Sequence, residues 1–177
     1  VVSGLDSITE GSVRLDGKLL SSMSGRELSD YRRDRIGFIF QAYNLIPVLT
    51  VEENVEYIML LQGIDKKERR RRVRDLLAQL GLDGMADRLP SCLSGGQQQR
   101  VAVARAIVSR PALVLADEPT ANLDSKTALD LIDMMRRLNE DSGVTFVFST
   151  HDSMIMARAR RLIVLKDGRI DRDEAQA

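Results

Sequence analysis

At about 100 to 200 residues per domain, 177 residues make one domain, and 44% hydrophobic content supplies a packed core, which excludes a chain disordered throughout. The 26 Lys and Arg balance 26 Asp and Glu, so no overall field recruits nucleic acid or an acidic membrane, and any basic partner site is local. A single cysteine, Cys92, excludes an intramolecular disulfide framework and is read as a packing residue, while no apolar run reaches the roughly 20 residues of a membrane span and nothing in the first residues given reads as a signal peptide.

The sequence begins Val1-Val2 in what reads as the tail of an element already under way, so the natural protein is expected to start earlier. Ser12 to Leu15 alternates, Asp16-Gly17 is a turn pair and Lys18-Leu19-Leu20 leads away, which predicts a hairpin. Ile36 to Phe40 reads as a strand ending at Gln41, and Asn44 to Pro47 breaks the pattern into a loop. Thr50-x-x-Glu53 is a capping box opening a helix with Val55, Ile58 and Met59 inward, closed at Gly63. A second box, Asp65-x-x-Glu68, opens a helix with Val73, Leu76, Leu77 and Leu80 at i, i+3, i+4 and i+7, stopped by Gly81. Lys66, Lys67, Arg69 to Arg72 and Arg74 crowd this helix. They are read as a solvated face rather than an anion-binding patch, and no aromatic is interleaved to stack on bases.

Gln97 to Arg110 reads as a helix burying Val101, Ala104 and Val108, ended by Pro111. Ala112 to Ala116 is a wholly apolar run, as in a strand covered on both faces. Asp124-Ser125 caps a helix with Ala128, Leu131, Ile132, Met135 and Leu138 inward, and Val144 to Phe148 and Leu162 to Leu165 are further β-rich runs. Strands alternating with helices predict an α/β layered fold with a mostly parallel sheet.

Three places carry chemistry. Asp117 and Glu118 lie where the buried strand stops, the end at which open α/β sheets bind ligands. Of two adjacent acids one can hold Mg²⁺ while the other deprotonates an attacking water. Ser94-Gly95-Gly96-Gln97 sits ahead of a helix, where glycines let an anion approach backbone N–H groups at the positive end of the dipole. The only histidine, His151, follows a strand and can share an edge with Glu118, donating to a phosphate oxygen, and Gln41 can reach the metal or the water from the same edge.

In chain order, Gln41, Leu93-Ser94-Gly95-Gly96-Gln97, Leu113 to Glu118, Asn122-Leu123-Asp124 and Ser149-Thr150-His151-Asp152 resemble the motifs of an ATP-binding cassette transporter ATPase and span nearly the whole chain. The wording Phe40 to Pro47 and Leu115 to Asp124 is similar to the lipoprotein-releasing and macrolide-export branch. The resemblance implies a P-loop NTPase-like core, over 1–41 and 110–177, and a helical subdomain over 42–109 that ends in the signature and its helix. It implies ATP and Mg²⁺ as cofactors, Gln41 as the Q-loop glutamine, Ser94, Gly95, Gly96 and Gln97 as the signature and Asp117 as the metal residue. Glu118 would be the general base, Asp124 the D-loop aspartate and His151 the switch histidine. Two cassettes would close head to tail as a homodimer, with membrane permease subunits as partners and no nucleic acid. The place implied is the cytoplasmic face of the plasma membrane.

No G-x-x-x-x-G-K-[ST] occurs around any of the five lysines, so the P-loop that grips β- and γ-phosphates is missing from these residues. The 177 residues alone are therefore expected not to hydrolyse ATP and, lacking a strand and the P-loop helix, either to fold poorly or to leave apolar sheet surface exposed. A non-hydrolysing interaction subunit is the alternative. A cassette acting on nucleic acid or ribosomes is disfavoured, because Ser94 lies only 53 positions after Gln41, too close for the long coiled coil of chromosome-maintenance relatives, and the translation-type relatives usually carry two cassettes where one is seen here.

Overall fold

The computed structural model describes residues 3–6 and 8–176. Its centre is a parallel three-stranded sheet in the order β3-β4-β5, formed by β3 (Ile36–Ile39), β4 (Leu113–Asp117) and β5 (Thr145–Ser149). The expected hairpin is β1 (Arg14–Leu15) with β2 (Lys18–Leu19), joined through Asp16 and Gly17, both at positive φ. Leu162 to Leu165 does not join the parallel sheet. It lies in β6 (Arg161–Lys166), which pairs antiparallel with β7 (Arg169–Ala175) as a separate hairpin.

Helices surround the sheet: α1 (Gly25–Arg35), α2 (Val51–Leu61), α3 (Lys66–Gln79), α4 (Gly95–Ile107), α5 (Ser125–Ser142) and the short α6 (Ser153–Met156). One buried cluster runs from Val55 and Met59 of α2 and Val73 and Leu77 of α3, through Val101 and Val103 of α4, to Val114 of β4 and Leu131 of α5. Each fully buried Val or Leu in it contributes about 1.5–3 kcal/mol over exposure. α4 is the hinge of this packing, touching α2, α3, α5 and β3. It comes so close to β3 that a Cβ on Gly37 would lie 2.3 Å from the Ala106 carbonyl oxygen, so only glycine fits there.

Three details differ from the sequence reading. Asp65 caps α3 by accepting from the Lys67 N–H at 2.8 Å, but the reciprocal half of the box is absent. The Glu68 carboxylate is drawn instead to Arg71 and Arg72, both at 2.8 Å, and these guanidiniums hold its pKa down at about 2. Much of the basic run is accordingly spent on ion pairs, with Arg69 to Glu56 and Arg70 to Glu52 as well, in keeping with a solvated face. Cys92 is exposed rather than packed, because the turn Pro90–Cys92 directs Pro90 and the following Leu93 inward. Finally, α4 starts at Gly95, two residues before the expected Gln97, since Ser94 is itself the cap. Exposed apolar sheet surface is present, at Val147 of β5, Ile163 and Leu165 of β6 and Ile170 of β7.

Candidate functional site

The register of the parallel sheet brings the chemistry to one edge. Ile39 pairs with Ala116 and Asp117 with Ser149, so Gln41, the Asp117-Glu118 pair and Thr150-His151 all leave the carboxyl ends of adjacent strands. Asp117 is exposed at the last position of β4. Glu118 turns away from the strand in the left-handed region at φ 44°, a conformation costing a non-glycine residue on the order of 1–3 kcal/mol. Its backbone is fixed on both sides. The Glu118 N–H donates to the Ser149 carbonyl at 2.9 Å, and the Ala121 N–H donates to the Glu118 carbonyl at 3.2 Å.

The Glu118 carboxylate meets the β5 exit directly. Its Oε1 lies 2.6 Å from His151 Nδ1 and accepts from the His151 backbone N–H at 3.2 Å, while Oε2 accepts from the Thr150 hydroxyl at 3.3 Å. An ionised carboxylate only accepts, so Nδ1 carries the proton. The imidazole is 88% exposed, which leaves Nε2 to solvent or a ligand, and Nε2 can donate only when the ring is doubly protonated.

The start of α4 forms the second part of the site. Ser94 and Gln97 make a reciprocal capping box, the Gln97 N–H donating to the Ser94 hydroxyl at 3.3 Å and the Ser94 N–H to Gln97 Oε1 at 2.9 Å. Gly95 and Gly96 occupy the first turn, and no acidic residue lies in it. A Cβ on Gly96 would stand 2.7 Å from Thr127 Cγ2, and one on Gly95 would stand 3.0 Å from the Tyr43 hydroxyl. The glycines thus let α4 close on α5 and on the loop after Gln41. Asp124 caps α5, accepting from the Thr127 hydroxyl at 2.6 Å and the Thr127 N–H at 3.0 Å. These bonds, the hydroxyl's first, hold its carboxyl below the usual carboxylate range.

The structure therefore gathers Gln41, Asp117, Glu118 and His151 on the sheet edge and packs the Ser94–Gln97 start against the cap of α5, with the Asn122 amide donating to the Gln41 carbonyl at 2.8 Å between them. Sequence reasoning passed over two residues. Arg105 of α4 donates to the carbonyls of Tyr43, at 2.8 Å, and Asn44, both at positive φ, and burial pushes its guanidinium below the usual arginine value. Gln99 of α4, wholly buried, donates to the Pro119 carbonyl at 2.7 Å. The only signal for either was a polar side chain on the apolar face of a helix.

Known proteins resemble this chain over most of its length. The family profile described as ABC transporter matches residues 1–121. An uncharacterized ABC transporter ATP-binding protein of Thermotoga maritima is 44% identical over 171 residues, 97% of this chain and 73% of that protein. A macrolide export ATP-binding/permease protein of Mannheimia succiniciproducens is 44% identical over 170 residues, 96% of this chain and 26% of that protein. Among solved structures, a dimeric ATP-binding cassette in a post-hydrolysis state bound to ADP and Pi superposes with a TM-score of 0.85 at 43% identity, over 98% of this chain and 76% of that one.

Proposed function

The chain belongs to the ABC transporter family of ATP-binding proteins, and from that premise we propose that the sheet edge and the α4 start are the two halves of a composite ATP site formed between two copies. The observation that carries the proposal is the Glu118 turn, where a carboxylate in a left-handed conformation is held against His151 beside the exposed Asp117. A positioned base of this kind removes a proton from the water that attacks a terminal phosphate. His151 Nε2, left to solvent, would donate to a phosphate oxygen when the ring is doubly protonated, and Gln41 would orient the water or a metal-bound ligand.

The residues suit Mg²⁺, which is held by one or two carboxylates together with substrate phosphates rather than by a protein cage. Asp117 is the proposed carboxylate. When bound, the cation neutralises phosphate charge and polarises the bond to be broken. The first turn of α4, with N–H groups uncovered by two glycines and no acid beside them, suits the terminal phosphate of ATP held by the facing copy. Asp124 would lie across the same junction. A dimeric cassette among the structural relatives supports a homodimer.

The lysine and hydroxyl of a P-loop are not among the 177 residues, so hydrolysis is proposed with a P-loop supplied from outside them. Among the described residues no helix is long and apolar enough to cross a membrane. From the family membership we propose membrane attachment through permease subunits on the cytoplasmic side, docking on the helical part 42–109, where Val48, Tyr57, Leu60 and Leu61 are exposed. The decisive test is Mg-ATP turnover by the transporter assembly containing this chain. Glu118→Gln is expected to lower turnover by about a hundredfold or more while ATP-dependent dimerisation survives, and purified residues 1–177 are expected to show no turnover. An assembly in which Glu118→Gln hydrolyses at the parent rate overturns the assignment.

A further inference from the structure

Gln99 is a poor choice for a core position if only stability is at stake. Its side chain is completely buried, and its Nε2 donates to the Pro119 carbonyl at 2.7 Å. That carbonyl can only accept, so the amide cannot be turned over, and Oε1 is left facing no donor. Among the described residues it is the one buried side-chain oxygen or nitrogen without a hydrogen-bond partner. An apolar side chain of the same shape would avoid this orphaned atom.

The useful half of the amide is the donor, and its acceptor adjoins Glu118. Pro119 has no N–H, so its carbonyl is its only backbone hydrogen-bonding group, and it is buried. If the Gln99 donor is lost, that carbonyl must rotate toward water or stay unpaired, and the preceding peptide carries Glu118. The cap of the same helix, Ser94, stands five residues earlier, about 7.5 Å away at 1.5 Å per residue. One rigid segment of α4 thus joins the first-turn N–H groups to the turn that aims the carboxylate.

We propose that Gln99 is a positioning residue for Glu118, tying the orientation of that carboxylate to the start of α4, so that an anion contact at Ser94 to Gln97 is felt at the base. The proposal rests on the reading of Glu118 as the general base. It adds a link within one copy between the half-site that receives the facing nucleotide and the half-site that activates water.

The test is Gln99→Met in the full chain, which keeps length and apolar volume, removes the donor and removes the orphaned oxygen. His151 is the only histidine and touches Glu118, so its ring protons give isolated NMR signals that report this contact. The expected result is a shift of those signals and an acceleration of Glu118 amide exchange by about tenfold or more, with the Val55 amide of α2 unchanged. In the ATP-hydrolysing assembly, kcat is expected to fall about tenfold with KM for ATP within about twofold. Unchanged His151 signals and Glu118 exchange overturn the proposal, as does equal acceleration at Glu118 and Val55, which would mark a purely structural residue. A loss expressed in KM instead of kcat overturns it too. If the parent assembly itself does not hydrolyse ATP, the functional reading fails while the NMR comparison still decides whether Gln99 sets the Glu118 turn.

Discussion

The helices α2 and α4 begin with the same local device and put it to opposite uses. At α2, Thr50 and Glu53 form a reciprocal capping box, and two acids, Glu52 and Glu53, sit in the first turn. The positive end of that helix is neutralised by its own side chains. At α4, Ser94 and Gln97 form the same box from uncharged partners, no acid follows, and the first two helical residues are glycines. Its N–H groups are held in helical geometry with the dipole uncompensated. Under the proposed function, this difference is what would turn a structural helix start into an anion site, by removing charge and bulk while keeping the cap.

The strongest way to break the comparison is to restore bulk at α4. Gly96→Ala places a methyl 2.7 Å from Thr127 Cγ2, and the Thr127 hydroxyl is tied to Asp124, so the side chain cannot swing aside freely. The expected outcome is a loss of about 1–3 kcal/mol in stability and at least tenfold weaker ATP-dependent dimerisation, measured by denaturant melts and sedimentation. Adding Thr127→Ser deletes the offending methyl and keeps the hydroxyl that Asp124 accepts from, so the double variant should recover most of both. Failure to recover would mean that Gly96 matters for something other than its approach to α5.

Restoring charge instead of bulk sharpens the same contrast. Gln97→Glu makes the α4 start resemble that of α2, so the fold should gain about 0.3–1 kcal/mol while dimerisation on ATP weakens about tenfold. A gain in stability with unaltered dimerisation would show that the uncompensated helix end faces no phosphate.

These residues were legible in sequence because they interrupt strong patterns. An apolar strand stopped by Asp117-Glu118, and a Ser-Gly-Gly-Gln run opening an amphipathic helix, are visible without a partner structure. The elements that escaped lack such contrast. α1 buries only Tyr31, so its polar sequence shows no apolar stripe, although Ser24-x-x-Glu27 forms a complete capping box at its start. β7 is exposed along its length and exists as a strand through its pairing with β6, reinforced by Arg161 against Asp173 at 2.7 Å. Asp65-x-x-Glu68 misled because the box pattern says nothing of two nearby guanidiniums competing for Glu68. Arg105 and Gln99 act across 61 and 20 residues of chain, on backbone carbonyls whose positions only the fold creates.

The smaller effects lie on the α2 side. Thr50→Ala removes one half of its box and should cost about 1 kcal/mol, with ATP-dependent dimerisation unchanged, because that helix start is spent on the fold alone. The two boxes should also part company in acid. The Thr50 backbone N–H, and then its hydroxyl, hold the Glu53 carboxyl below its ordinary value of 4.5. A carboxyl depressed in the folded state contributes stability that is present above the unfolded value and is lost as pH falls through the folded one. The α4 box has no titratable member. Between about pH 5 and pH 3, amide exchange corrected for intrinsic rates should therefore rise at Glu53, more weakly in Thr50→Ala, and stay flat at Gln97. Equal rises at both amides would trace the acid sensitivity to the shared core beneath the two helices and not to the chemistry of their caps.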